Sequence, residues 1–67
     1  MATTTPLTDR QLEAARLAAK GKTIYEISRG MEISVSMVRL HLDAAKAKLG
    51  VKRKAEIAAA LHREGLL

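Results

Sequence analysis

The chain has 67 residues and one aromatic side chain, Tyr25, so it holds at most one domain, and its core must be built from Leu, Ile, Val, Met and Ala. It contains no cysteine, which excludes disulfides, thiolate metal sites and cysteine nucleophiles, and no apolar run approaches transmembrane length. The formal net charge of +5 is concentrated, because residues 39–54 carry Arg39, Lys46, Lys48, Lys52, Arg53 and Lys54 against Asp43 alone while acids and bases balance elsewhere; such a patch suits nucleic acid, or else is a solvated face that aids solubility.

Met1–Pro6 reads as a flexible arm, with three threonines, a proline and no periodicity. Residues 7–67 form the domain. Thr8-Asp9-Arg10-Gln11 has capping-box spacing, which starts a first helix at Thr8 and carries it to about Lys20, with Gly21 as its left-handed stop. Thr23-Ile24-Tyr25-Glu26 repeats the box and opens a short second helix. Gly30 is expected to end that helix, leaving Met31-Glu32-Ile33 as the turn. Ser34 caps a third helix over about 34–49, with Gly50 at its end and Val51 as a core plug. A fourth helix spans roughly Arg53 to Arg63, and Gly65 stops it. Nothing shows β alternation or hairpin chemistry. The expected fold is all-α, a four-helix domain in which two capped helices around a tight turn, the second one basic, follow helix-turn-helix logic.

The third helix has two unlike sides. At about 100° per residue, Val38, Leu42, Ala45 and Leu49 share one stripe, while Arg39, Leu40, Asp43 and Lys46 lie opposite it or beside it. The outer mixture of a forked donor, an apolar tip, an acceptor and a cation fits the edges of base pairs. Arg39 can fork onto guanine and Leu40, flanked by Ala44 and Ala47, can meet a thymine methyl; alternatively, Arg39 is a solvated charge and Leu40 a scattered surface residue, or the contact is with protein. Asp43 either accepts from a cytosine amino group or pairs with Arg39 or Lys46 along the helix. His41, at the margin of the stripe, is assigned a packing role, with phosphate contact as the second reading. Glu13 and Glu26 suit ion pairs or caps. No carboxylate pair has a supporting base or metal cluster, so neither an enzyme nor any metal or cofactor is called for.

Taken in order, several pieces add up to a resemblance: Leu7-Thr8-x-Arg10, Glu13, Leu17-x-Ala19-x-Gly21, Glu26-Ile27, Ile33-Ser34, Val38-x-x-His41, Lys48-Leu49-Gly50-Val51, Glu56 and Gly65-Leu66-Leu67. Over about Leu7 to Leu67 the chain resembles the LuxR-type (LuxR/NarL/FixJ) helix-turn-helix DNA-binding domain. Each piece is weak alone, and their order and spacing are specific. It departs from the family pattern at Met37, where Thr is usual; at Ala14 and Ala15, where bulkier residues are usual; at Leu12, where an exposed Arg is common; at Tyr25, in place of Lys; and at Asp43, in place of a basic or polar residue.

The resemblance implies a DNA-binding transcriptional regulator, with the third helix in the major groove of double-stranded DNA. It places Arg39 and Leu40 at base-contacting positions, with Asp43 as a third candidate one turn on. Thr23, Tyr25, Ser34, Ser36 and Lys46 are the candidate phosphate contacts. Lys48, Lys52, Arg53 and Lys54 supply general field. It also implies pairing through the fourth helix, where Ile57, Ala60, Leu61 and Glu64 recur at helical spacing; the other reading is that Ile57 and Leu61 cap the core and the alanines reflect helix propensity. The expected partners are duplex DNA and a weak homodimer or a heterodimer with another LuxR-type protein, without membrane, in the cytoplasm. The alternative function is a protein-interaction module that pairs through the fourth helix and modulates such a regulator, and Asp43 and an exposed Leu12 speak for it. The opening Met and threonine-rich arm favour a standalone chain, the other reading being a domain excised from a longer receiver or ligand-sensing protein.

Overall fold

The computed structural model describes residues 7–67 and arranges them as α1 (Asp9–Ala19), α2 (Ile24–Met31), α3 (Val35–Leu49), a 3-10 turn (Lys54–Glu56) and α4 (Ile57–Arg63). The expected arm, Met1–Pro6, lies outside the described residues. No strand occurs among the described residues, and the fold is the expected all-α domain.

The helix starts follow from local chemistry. The Thr8 hydroxyl accepts from the Gln11 amide while the Gln11 side chain accepts from the Thr8 amide, at 3.1 and 3.2 Å. Thr23 and Glu26 do the same at 3.1 and 2.8 Å. Ser34 Oγ accepts from the Met37 amide at 3.1 Å. Each box satisfies amides that a helix start leaves without partners. After α1, Gly21 at φ +89° takes the left-handed conformation that glycine adopts without steric cost.

Two boundaries differ from the sequence expectation. Gly30 does not end α2; the helix runs through it to Met31. The left-handed residue is Glu32, at φ 58°, and the Ile33 and Glu32 amides close onto the carbonyls of Ser28 and Arg29. Continuing the helix one residue past Gly30 turns Met31 into the core, where it is buried. The strained conformation therefore falls on a glutamate, at a cost of about 1 kcal/mol. The second difference is at the fourth helix. Its first turn, Lys54–Glu56, is 3-10 rather than α, and regular helix begins only at Ile57. There the amides of Lys52 and Arg53 both donate to Glu56 Oε1, at 3.1 and 3.0 Å, which holds the entry tight.

α1 lies at the centre and packs on each of the other helices. This explains its alanines: Ala14, Ala15 and Ala18 are buried, and their small side chains let the neighbouring helices come close. The bulk of the core comes from those neighbours, with Ile27 of α2, Val38 of α3 and Ile57 and Leu61 of α4 fully enclosed. Each such side chain contributes about 1.5–3 kcal/mol of burial. Leu7 and Leu66 close the two ends, and Ile24, Ile33, Leu49 and Val51 pack around the margin, Val51 as expected.

Long-range polar ties fix the helices against one another. Arg10 reaches the Met31 carbonyl at the end of α2 (3.4 Å) as well as Glu13 on its own helix (3.3 Å). Arg16 Nε donates to the Leu66 carbonyl at 3.0 Å, binding the C-terminal segment to α1. The Ser28 hydroxyl donates to the Ile33 carbonyl across the turn between α2 and α3. The Arg10 and Ser28 bonds hold the turn between α2 and α3.

Candidate nucleic-acid interface

α3 is gripped along one side only. Val38, Leu42 and Ala45 are buried and Leu49 is partly so, as its stripe predicts. Opposite, Arg39, Leu40 and Asp43 are all exposed, and Ser36 with them. Leu40 keeps 61% of its surface in contact with solvent. An α-helix with its side chains is about 10–12 Å across and a major groove is about 12 Å wide, so this 15-residue helix fits.

The charged part of this face is partly self-paired. Lys46 Nζ lies 3.5 Å from Asp43 Oδ1, so the pairing expected as one alternative for Asp43 falls on Lys46. Asp43 is the more open partner, with 71% of its side chain exposed against 26% for Lys46. A pair so open contributes little to stability. Its effect is on the field, since it cancels one cation on the side of the helix that faces outward.

The phosphate candidates stand at two helix starts. Thr23 and Tyr25 are exposed at the start of α2, Ser34 and Ser36 at the start of α3, and Lys46 is half-buried further along. The hydroxyls of Thr23 and Ser34 are engaged as caps, accepting amide protons, and leave their helix-start dipoles pointing outward. Glu26 occupies part of the α2 start. Its carboxyl is held below the usual carboxylate range, chiefly by the Thr23 amide that donates to it; Lys22, the Thr23 hydroxyl and Lys54 act in the same direction, against desolvation. His41 is half-buried beside the stripe, and among the described residues no hydrogen bond to its ring is present.

Two of the basic side chains treated as general field have specific positions. Lys48 Nζ donates to Gln11 Oε1 on α1 at 2.9 Å. Lys54 Nζ donates to the Lys22 carbonyl at 2.6 Å, joining the entry to α4 to the turn before α2. These bonds, like those of Arg10 and Arg16, span 21 to 50 residues and leave no local pattern in the sequence. Met37 is a further residue that the sequence reading left out of the site. It is 40% exposed and stands one turn before Leu40. The signal available for it was its register, three residues from an outward leucine.

The fourth helix corrects one of its two readings: Ile57, Ala60 and Leu61 do not line an open surface for a second chain, because all three have no exposed area within a single chain, and Ile57 and Leu61 close the core as the other reading has it. This ridge faces α1 and the core. Of the four residues, only Glu64 is exposed; Ala55, Ala59, His62 and Arg63 are exposed with it. Leu12, expected to be exposed, is half-buried and packs against the core. No helix among the described residues is long and apolar enough to cross a membrane.

Comparison with known proteins agrees with this geometry. Residues 5–61 match the family described as bacterial regulatory proteins, luxR family. The chain is 39% identical over 61 residues to the spore germination protein GerE of Bacillus subtilis (strain 168), covering 91% of this chain and 82% of that protein. It is 36% identical over 61 residues to the transcriptional regulatory protein LiaR of the same organism, covering 91% of this chain but 29% of LiaR. The chain thus spans most of the first relative and under a third of the second. With the match running across most of its length, the chain belongs to the luxR family of bacterial regulatory proteins.

Proposed function

We propose that this protein is a DNA-binding transcriptional regulator that inserts α3 into the major groove of duplex DNA, with Arg39 and Leu40 on base edges and Asp43 beside them. The observation that carries this reading is the division of α3: one stripe is locked in the core while Arg39, Leu40 and Asp43 stand outside, on the helix where the basic excess begins. Family membership and the regulator named among its relatives support it. Thr23, Tyr25, Ser34, Ser36 and Lys46 position the helix on phosphates, and residues 7–67 act as the working unit in the cytoplasm. A gel shift across a salt series tests it. Affinity should fall steeply with salt, and Lys46→Ala should weaken all sequences alike and lower the salt slope by about one. Failure to shift any duplex at low salt would overturn the reading.

Two copies, or one copy with another LuxR-type chain, would pair weakly through the outer side of α4, where Ala59 and Arg63 are exposed next to Glu64. Two-fold pairing places two reading helices on half-sites about 10 base pairs apart. Sedimentation across concentration should show a weak dimer that Ala59→Glu removes. A parent that stays monomeric both free and on a palindromic site would rule pairing out.

A further inference from the structure

The outer face of α3 is itself divided in two. At about 100° per residue, Arg39, Asp43 and Lys46 fall within one sector roughly 60° wide, and Met37, Leu40 and Ala44 within another of the same width. Ser36 and Ala47 lie between them. Met37 and Leu40 are two of the four large apolar side chains that the described residues leave exposed, and they are i,i+3 neighbours on one helix. Ala44, half-buried one turn beyond Leu40, continues the strip without a polar atom. A single exposed apolar residue needs no explanation, but adjacent ones on the solvent side of a helix mark a contact.

The occupant follows from the charge of the same helix. The basic excess starts at Arg39 and suits a polyanion, and in a major groove the one apolar group on the base edges is the C5-methyl of thymine. Resting on the proposed insertion of α3 into DNA, we infer that Met37 and Leu40 form a methyl-reading strip, so that the protein selects duplexes with thymines at neighbouring positions and does so through their methyl groups. Arg39 and Asp43 read hydrogen-bonding edges on the other sector. Met37 thereby becomes a specificity-determining residue, and thymine should be distinguished from uracil although both pair identically with adenine.

The test uses the intact chain and a duplex selected from random sequence. Each thymine is replaced in turn by deoxyuridine, which removes one methyl and leaves every hydrogen-bonding group, and affinity is read by fluorescence anisotropy at fixed salt. Two neighbouring positions should each lose roughly fourfold, the worth of one buried carbon converted to affinity. Leu40→Ala should abolish the thymine preference at one of them and Met37→Ala at the other, with circular dichroism unchanged because both residues are exposed. Equal affinity for every deoxyuridine duplex would overturn the methyl strip while leaving DNA binding in place. A methyl effect that survives in both variants would also overturn it, since other groups would then be reading the methyls. Absence of binding to any duplex would instead overturn the DNA-binding reading, and the strip with it.

Discussion

The apolar residues of α4 and those on the outer side of α3 look alike in the sequence and do opposite things in the fold. Ile57, Ala60 and Leu61 recur at helical spacing and are wholly enclosed; Met37 and Leu40 recur at helical spacing and stand in solvent. The difference is one of register. α3 already has Val38, Leu42 and Ala45 facing the body, so Leu40 has no core left to join. α4 carries its large apolar groups on a single ridge, and the body takes all of it. An apolar residue is thus a candidate for contact when its helix has a second, filled apolar stripe, and a candidate for the core when it does not.

Two leucine substitutions test this contrast with the largest expected effect. Leu61→Ala should cost about 2–5 kcal/mol, enough to unfold much of a 67-residue domain whose core supplies about 3–5 kcal/mol. Leu40→Ala should change stability by less than about 0.5 kcal/mol. Urea unfolding of both variants gives the comparison, and equal losses would break it.

A smaller effect probes the turn that aims α3. Gly30 is helical, and a Cβ placed there meets nothing within 4 Å. Gly30→Ala should therefore stabilise the protein by about 0.5–1 kcal/mol, seen as a rise in Tm. A fall in Tm would mean that the helix does not run through this position.

The smallest expected effect is electrostatic. Glu26 has a folded-state pKa below its ordinary value of 4.5, so its ionised form favours the folded state. That contribution is present above about pH 4.5 and is lost as pH falls through the lower folded value. The stability gap between the parent and Glu26→Ala should therefore be widest near neutral pH and narrow in acid, measured by thermal scans between pH 7 and pH 3. A gap independent of pH would remove the ionised carboxylate from the account.

The helix starts were legible in the sequence because a capping box is complete within four residues; Thr8, Thr23 and Ser34 act as their spacing suggests. The buried stripe of α3 was legible for a similar reason, since periodicity alone defines it. Gly30 misled because glycine is unfavourable inside a helix and common at its end; the helix nevertheless continues to Met31, whose burial in the core is a tertiary matter. The direction of the α4 ridge is set by packing on α1, a tertiary matter that helical spacing alone does not show. The ties from Arg10, Arg16, Lys48 and Lys54 join segments far apart in the chain, where no pairwise pattern was visible. At the site, exposure of Arg39, Leu40 and Asp43 could be read from helical phase, whereas the pairing of Asp43 with Lys46 rather than Arg39 could not.

The central claim is that the outer face of α3 reads bases while its inner face holds the fold. Selecting bound duplexes from random DNA with the parent and with Arg39→Ala, and measuring both affinities on the parent's preferred site, tests it most directly. The account predicts an unchanged unfolding midpoint, a loss of about 1–3 kcal/mol on that site, and relaxed preference at one base position only. An Arg39→Ala variant that binds every sequence as selectively as the parent, or a parent that selects no sequence at all, would contradict it.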